Sequence, residues 1–266
     1  MNKLYWCGDT HLNIDIRKLS TKSFPEQKTL TKNDYVIVCG DYGLLFDSIE
    51  TGLTVPSNPN DKCWSKEELY WLDYYTNVKN FTTLWVDGNH CNFDRIETYP
   101  ITEWNGGKVQ LINDSIIHLM RGQVYNINGK TIFTMGGAKS IDRGAATHTE
   151  KRDIHKIWWP QENITDADME EAWKNLEQVG NKVDYIVTHE VPQSVCMEMG
   201  FYRNDPNSLK LQEIKEKVDY NFWFAGHYHR FERYGNVQIL YNQVVRFNRN
   251  DELINVCKGS YREMLY

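Results

Sequence analysis

Five short apolar runs punctuate this chain, and each ends in a polar cluster built on glycine, aspartate, asparagine or histidine. Leu4-Tyr5-Trp6-Cys7 leads into Gly8-Asp9-Thr10-His11, and Tyr35-Val36-Ile37-Val38-Cys39 into Gly40-Asp41-Tyr42. Thr83-Leu84-Trp85-Val86 precedes Gly88-Asn89-His90, Asp184-Tyr185-Ile186-Val187 precedes Thr188-His189-Glu190, and Phe222-Trp223-Phe224-Ala225 precedes Gly226-His227-Tyr228-His229. Runs this short, with no polar alternation, are how strands buried on both faces read, and open α/β sheets build their sites beyond the carboxyl ends of such strands. The pattern predicts an α/β fold in which five strand ends converge on one metal site.

The donors are specific. Asp9, His11, Asp41, Asn89, His189, His227 and His229 offer hard oxygens and imidazole nitrogens without a thiolate. Such a set suits Mn, Fe, Zn, Ni or Co rather than a structural cysteine-type zinc. Seven ligands exceed the needs of one tetrahedral ion and fit two ions about 3.5–4 Å apart, bridged by a carboxylate. His90 is left over beside Asn89, where an imidazole titrating near neutrality can serve as general acid for a leaving oxygen. Any one of these residues alone is an ordinary polar loop residue; the ordered set carries the prediction. The remaining histidines read blandly: His118 as a partly buried strand residue, His148 and His155 as solvated.

The order Asp-x-His, Gly-Asp, Gly-Asn-His, His, Gly-His-x-His resembles the calcineurin-like metallophosphoesterases, from about residue 3 to residue 230. The resemblance implies a four-layer α/β/β/α sandwich, here as one domain over 1–266. It implies one metal held by Asp9, His11, Asp41 and His229, a second held by Asp41, Asn89, His189 and His227, and His90 as the catalytic histidine. The protein Ser/Thr phosphatase branch carries Gly-Asp-x-Val-Asp-Arg-Gly and Gly-Asn-His-Glu, whereas this chain has Gly40-Asp41-Tyr42-Gly43-Leu44-Leu45-Phe46 and Gly88-Asn89-His90-Cys91. The phosphate-gripping arginine and the glutamate of that branch are missing, which argues against a phosphoprotein substrate. Asp47 and Asp94 are candidates for orienting His90 only by their nearness in sequence.

Capping-box signatures open helices at Ser65-Lys66-Glu67-Glu68, running to about Val78 with Leu69, Leu72 and Tyr75 on its apolar face, and at Thr165-Asp166-Ala167-Asp168, closed by Gly180. A third helix is expected over 208–218, a hairpin through Asn128-Gly129, and strand from Val237 to Val245. Two insertions stand out, at about 48–61 and 139–163. The second carries Lys139, Arg143, Arg152, Trp158 and Trp159 and is a candidate lid, with Arg143, Arg152 and Trp158 as substrate contacts, because Arg grips phosphate and Trp stacks on bases.

The net charge of −6 exerts no global pull on nucleic acid or anionic membrane, so a nucleic-acid substrate is not favoured. No run approaches the roughly eighteen apolar residues of a membrane span. The six cysteines show no paired spacing and no export signal precedes the first strand, so a cytoplasmic, reducing setting is expected. The expected activity is hydrolysis of a phosphodiester or nucleotide-type substrate by hydroxide bridging two divalent ions, Mn favoured, with His90 as general acid. A small-metabolite phosphomonoesterase and a non-catalytic metal-stabilised scaffold are the alternatives.

Overall fold

Alternation within the apolar runs decides the layering. In the first strand Tyr5 and Cys7 face one side while Trp6 faces the other, as the period of two in a strand requires. The computed structural model describes residues 2–12, 14–45, 66–140, 159–202 and 204–257. The chain lays down β1 (Leu4–Cys7), β2 (Tyr35–Val38) and β3 (Thr82–Trp85) as parallel neighbours. It widens the sheet with β4 (Ile101–Trp104), β5 (Gly107–Asn113) and β6 (Ile116–Leu119). It then crosses to a second sheet with β7 (Gln123–Ile127), β8 (Lys130–Met135), β9 (Lys182–Thr188), β10 (Asp219–Ala225), β11 (Glu232–Tyr234) and β12 (Val237–Ile239). It returns to the first sheet with β13 (Val244–Phe247) and β14 (Leu253–Asn255). Among the described residues the sheets have eight strands, ordered β14-β13-β1-β2-β3-β6-β5-β4, and six, ordered β11-β12-β10-β9-β8-β7.

The sheets pack face to face through aromatic side chains. Trp6 of β1 stacks on Phe224 of β10 with ring centroids 4.5 Å apart, and Tyr185 and Phe247 close around the pair. Helices cover both outer faces. Tyr75, Leu72 and Trp71, from α1 (Lys66–Asp73) and the wider helical turn that follows it, pack on the outer side of the first sheet. The short α2 (Phe93–Ile96) follows β3. Helices α3 (Asp166–Gln178), α4 (Gln193–Glu198) and α5 (Pro206–Lys217) cover the second sheet with Ala172, Leu176, Val195, Leu211 and Ile214. The architecture is the expected α/β/β/α sandwich. No helix among the described residues is long and apolar enough to cross a membrane.

Local signals held where short-range chemistry sets the structure. Thr165 and Asp168 form a reciprocal capping box at the start of α3, and Asn128 and Gly129 turn the β7–β8 hairpin with φ of 55° and 76°. Two expectations are corrected. Leu69 is 48% exposed, and the buried residue of the first turn of α1 is Glu68, which pairs with the buried Arg95 at 2.5 Å. The stretch from Val237 to Val245 is not one strand, because β12 belongs to one sheet and β13 to the other; the chain crosses between them at residues 240–243. Ser65, Cys63, the 48–61 insertion and residues 141–158 of the second insertion lie outside the described residues.

Candidate metal centre

The loops after β1, β2, β3, β9 and β10 meet beyond the carboxyl ends of these strands. Two carboxylates form the floor, and backbone amides from neighbouring loops orient each of them. The amide of His90 donates to Asp41 Oδ1 at 2.8 Å, and the amide of His227 donates to Asp9 Oδ1 at 3.1 Å. The second oxygens therefore face the imidazoles. Asp41 Oδ2 lies 3.1 Å from His189 Nε2 and 3.5 Å from His11 Nε2, and Asp9 Oδ2 lies 3.0 Å from His229 Nε2. His189 donates from Nδ1 to the Cys39 carbonyl at 2.8 Å, which leaves Nε2 facing Asp41 and, at 3.3 Å, the Asn89 amide oxygen. The His227 ring packs against His189, centroids 5.0 Å apart.

Donor atoms of Asp9, His11 and His229 lie within 4.8 Å of one another, as do those of Asp9, Asp41 and His189. Asp9 is common to both groups, while Asp41 Oδ2 occupies the gap between His11 and His189. The expected ligands are thus brought together, with Asn89 and His227 at the margin through their contacts to His189.

This convergence strains the backbone. His11, Asp41, His227 and His229 all have positive φ, between 41° and 68°, a region that side chains other than glycine seldom enter and that costs of order 1–3 kcal/mol each. The motif glycines have a steric reason. A Cβ on Gly88 would sit 2.2 Å from Asp41 Oδ1, one on Gly226 2.2 Å from Asp9 Oδ1, and one on Gly40 2.0 Å from His189 Nδ1. Each glycine makes room for a ligand carried by a different strand. Hydroxyls close the turns: Thr10 Oγ1 donates to the Tyr42 carbonyl at 2.8 Å and Thr188 Oγ1 to the Glu190 carbonyl at 2.6 Å.

The carboxylates and imidazoles stabilise one another's charged forms. Burial alone would push the Asp9 carboxyl up, yet His189, His229 and His11 together bring it down to about 2. Burial of Asp41 is likewise outweighed by His189 and His11, and its carboxyl lies well below the usual range. Conversely, the carboxylates overcome the desolvation of the imidazoles and raise His11 to about 10 and His189 to about 9. Asp9 Oδ2 is buried, with His229 Nε2 at 3.0 Å facing it. Buried carboxylate oxygens clustered with imidazole nitrogens and no thiolate fit divalent ions of the first transition row.

His90 stands at the rim, its ring 5.8 Å from that of His11. Asp94 Oδ2 accepts a hydrogen bond from Nε1 of the fully buried Trp159 at 3.0 Å, so this tryptophan of the second insertion is a core residue. Asp47, Arg143, Arg152 and Trp158 lie outside the described residues, as do His148 and His155. Cys91 accepts the Gly88 amide through its sulfur at 3.3 Å, a structural role. His118 is buried in β6, beneath the Trp85 ring, and contacts Asp87 and Gln110.

Sequence reasoning missed the supporting residues. Asp15 accepts from His11 Nδ1 at 2.8 Å; its spacing of four from His11 was the available signal. Glu190 was visible beside His189 but had no assigned part; its Oε1 accepts from Tyr228 at 2.6 Å and its Oε2 lies 3.7 Å from His227 Nε2. Asp87, buried under the Gly-Asn-His turn, holds Arg121 at 2.5 and 2.9 Å. Tyr241 offered no signal at all.

A fold of two facing sheets with a nitrogen–oxygen donor cluster at their strand ends defines a class, and the comparisons agree with it. The family model described as calcineurin-like phosphoesterase matches residues 3–231, and the chain belongs to that family. Among individual proteins it is similar to the lariat debranching enzyme of Drosophila melanogaster, 24% identical over 224 residues that cover 75% of this chain and 38% of that protein. The lariat debranching enzyme of Drosophila pseudoobscura pseudoobscura is also 24% identical, over 227 residues covering 77% and 38%. The chain thus spans 38% of the length of these relatives.

Proposed function

We propose that this chain is a single metallophosphoesterase domain that hydrolyses a phosphodiester of nucleotide type with two divalent ions, Mn²⁺ favoured. The observation that carries the reading is the meeting of Asp9, His11, Asp41, Asn89, His189, His227 and His229 from five strand ends, with one oxygen of each aspartate turned toward the imidazoles. The similarity to lariat debranching enzymes supports a diester over a monoester, since opening a lariat branch cleaves a phosphodiester. The missing arginine and glutamate of the protein phosphatase motifs argue against a phosphoprotein substrate.

Bound ions supply charge neutralisation at the phosphate oxygens and acidify a water at neutral pH. The chain's own residues do the rest. Asp9 and Asp41 would hold the ions with the oxygens that the His227 and His90 amides leave facing the site. His11, His189, His227 and His229 supply nitrogens, and Asn89 an amide oxygen. His90, on the rim, delivers a proton to the leaving oxygen.

The test is hydrolysis of bis-p-nitrophenyl phosphate, p-nitrophenyl phosphate and a branched oligoribonucleotide by Mn²⁺-loaded protein, with Asp41→Asn as control. Diester and branch cleavage that vanish in the control are expected. Activity on the monoester alone would make the protein a metabolite phosphatase. Silence on all three with two ions bound would make it a scaffold.

A further inference from the structure

The family match ends at residue 231, yet the metal centre continues past it. Between β12 and β13 the chain crosses from one sheet to the other, and Tyr241 lies in that crossing. Its ring is stacked on His229, centroids 4.4 Å apart and planes 7° from parallel. Its hydroxyl donates to Asp15 Oδ1 at 3.0 Å, while the other Asp15 oxygen accepts from His11 Nδ1 at 2.8 Å. One side chain thus reaches both histidines of the Asp9–His11–His229 group, one through its ring face and one through a shared carboxylate.

The crossing is itself fixed. The buried Lys18 donates from Nζ to the Tyr241 carbonyl at 2.7 Å and also to the Asp9 carbonyl. Leu240 donates its amide to Ala225 at 2.8 Å, and a Cβ on Gly8 would meet the Leu240 carbonyl at 2.1 Å. Tyr241 therefore cannot drift relative to the loops that carry Asp9 and His229.

Both imidazoles need such a hold. The His229 side chain is 47% exposed, so its rotamer is not set by burial. His11 must present Nε2 to the site, and a carboxylate on Nδ1–H fixes that tautomer and ring orientation; partners of this kind commonly set metal affinity by 10–100-fold.

We propose that Asp15 and Tyr241 form a positioning pair that fixes His11 and His229 and so sets the affinity of one metal position without the other. The second position, around Asp41 and His189, draws its orientation from the Cys39 carbonyl and the His90 amide. The inference rests on the two-metal reading given above.

The experiment is competitive titration of Zn²⁺ into the metal-free full chain against a chromophoric chelator, for wild type, Asp15→Ala, Tyr241→Phe and Tyr241→Leu. Wild type should take up two ions. In Asp15→Ala and Tyr241→Leu one ion should bind about 10–100-fold more weakly and the other unchanged. Tyr241→Phe, which keeps the ring and loses the hydroxyl, should lose less than Tyr241→Leu. Long-range ¹H–¹⁵N spectra of the zinc form should show the His11 Nδ1–H tautomer in wild type and its loss or averaging in Asp15→Ala. Melting of the metal-free proteins in chelator reports whether the variants fold. Two ions bound with wild-type constants in the variants, or equal weakening at both positions, would overturn the pair while leaving the metal centre intact. Fewer than two ions on wild type would instead overturn the reading of the site, and the pair with it.

Discussion

The two halves of the centre are held in different ways. Asp41, Asn89 and His189 are buried, and backbone groups orient the carboxylate and the imidazole: the His90 amide on Asp41, the Cys39 carbonyl on His189. His229 reaches toward solvent and His11 is part-buried, and side chains from elsewhere orient them, Asp15 on one and Tyr241 on the other. A buried ligand loses its rotamer freedom to the packing that buries it. A solvent-facing ligand keeps that freedom unless something else removes it. The buried half is thus encoded in contiguous motifs, while the exposed half depends on residues scattered through the chain.

Asp41→Asn should have the largest effect, because its second oxygen lies between His11 and His189 of the two halves. Turnover of a chromogenic diester should fall about 10³-fold, with metal content by plasma mass spectrometry reduced. Activity within tenfold of wild type would remove Asp41 from the centre. Asp87→Asn would test the support beneath the buried half. It leaves the Arg121 guanidinium buried without its closest carboxylate, and urea denaturation in chelator should show a loss of about 3 kcal/mol. A loss under about 1 kcal/mol would mean that Asp168 and the surrounding carbonyls suffice for Arg121.

Histidine removal should separate the halves directly. In metal-free protein, His189→Ala opens a hole in a fully buried site and should cost about 2 kcal/mol, whereas His229→Ala should leave the melting temperature almost unmoved. Equal shifts would erase the distinction drawn here. The smallest effect concerns the strand that returns from the crossing. Arg246 of β13 grips Glu26 through two nitrogens at 2.8 and 2.9 Å. Arg246→Met should cost about 1 kcal/mol at pH 7. The arginine and the Tyr5 hydroxyl hold the Glu26 carboxyl below its ordinary range despite partial burial. A depressed carboxyl contributes above the unfolded pKa, and the contribution disappears as pH falls through the folded value. The difference between wild type and Arg246→Met should therefore shrink toward zero under acid, and a difference that persists there would locate the arginine's contribution in packing.

Much of the molecule was legible because its signals are local. A strand buried on both faces must be apolar throughout, so Tyr35-Val36-Ile37-Val38 announces itself. A helix start needs acceptors for its free amides, so Thr165 and Asp168 do too. Leu69 misled because the first turn of α1 buries the Glu68–Arg95 pair, and a paired charge inside looks like surface in a sequence. The break after Ile239 was invisible because residues on either side have the same strand-like alternation, and only sheet membership tells them apart.

The sequence by itself determined the class of fold, the donor set and the order in which strands deliver it, because strand ends, motif glycines and ligand chemistry are properties of contiguous residues. Tertiary structure alone decided which oxygen of each aspartate faces the imidazoles, which backbone positions carry strain, and that Asp15, Lys18 and Tyr241 stand behind two of the histidines. Those are relations between loops up to 226 residues apart, as from Asp15 to Tyr241. They exist only once two sheets have stacked through Trp6 and Phe224 and brought their strand ends to one place.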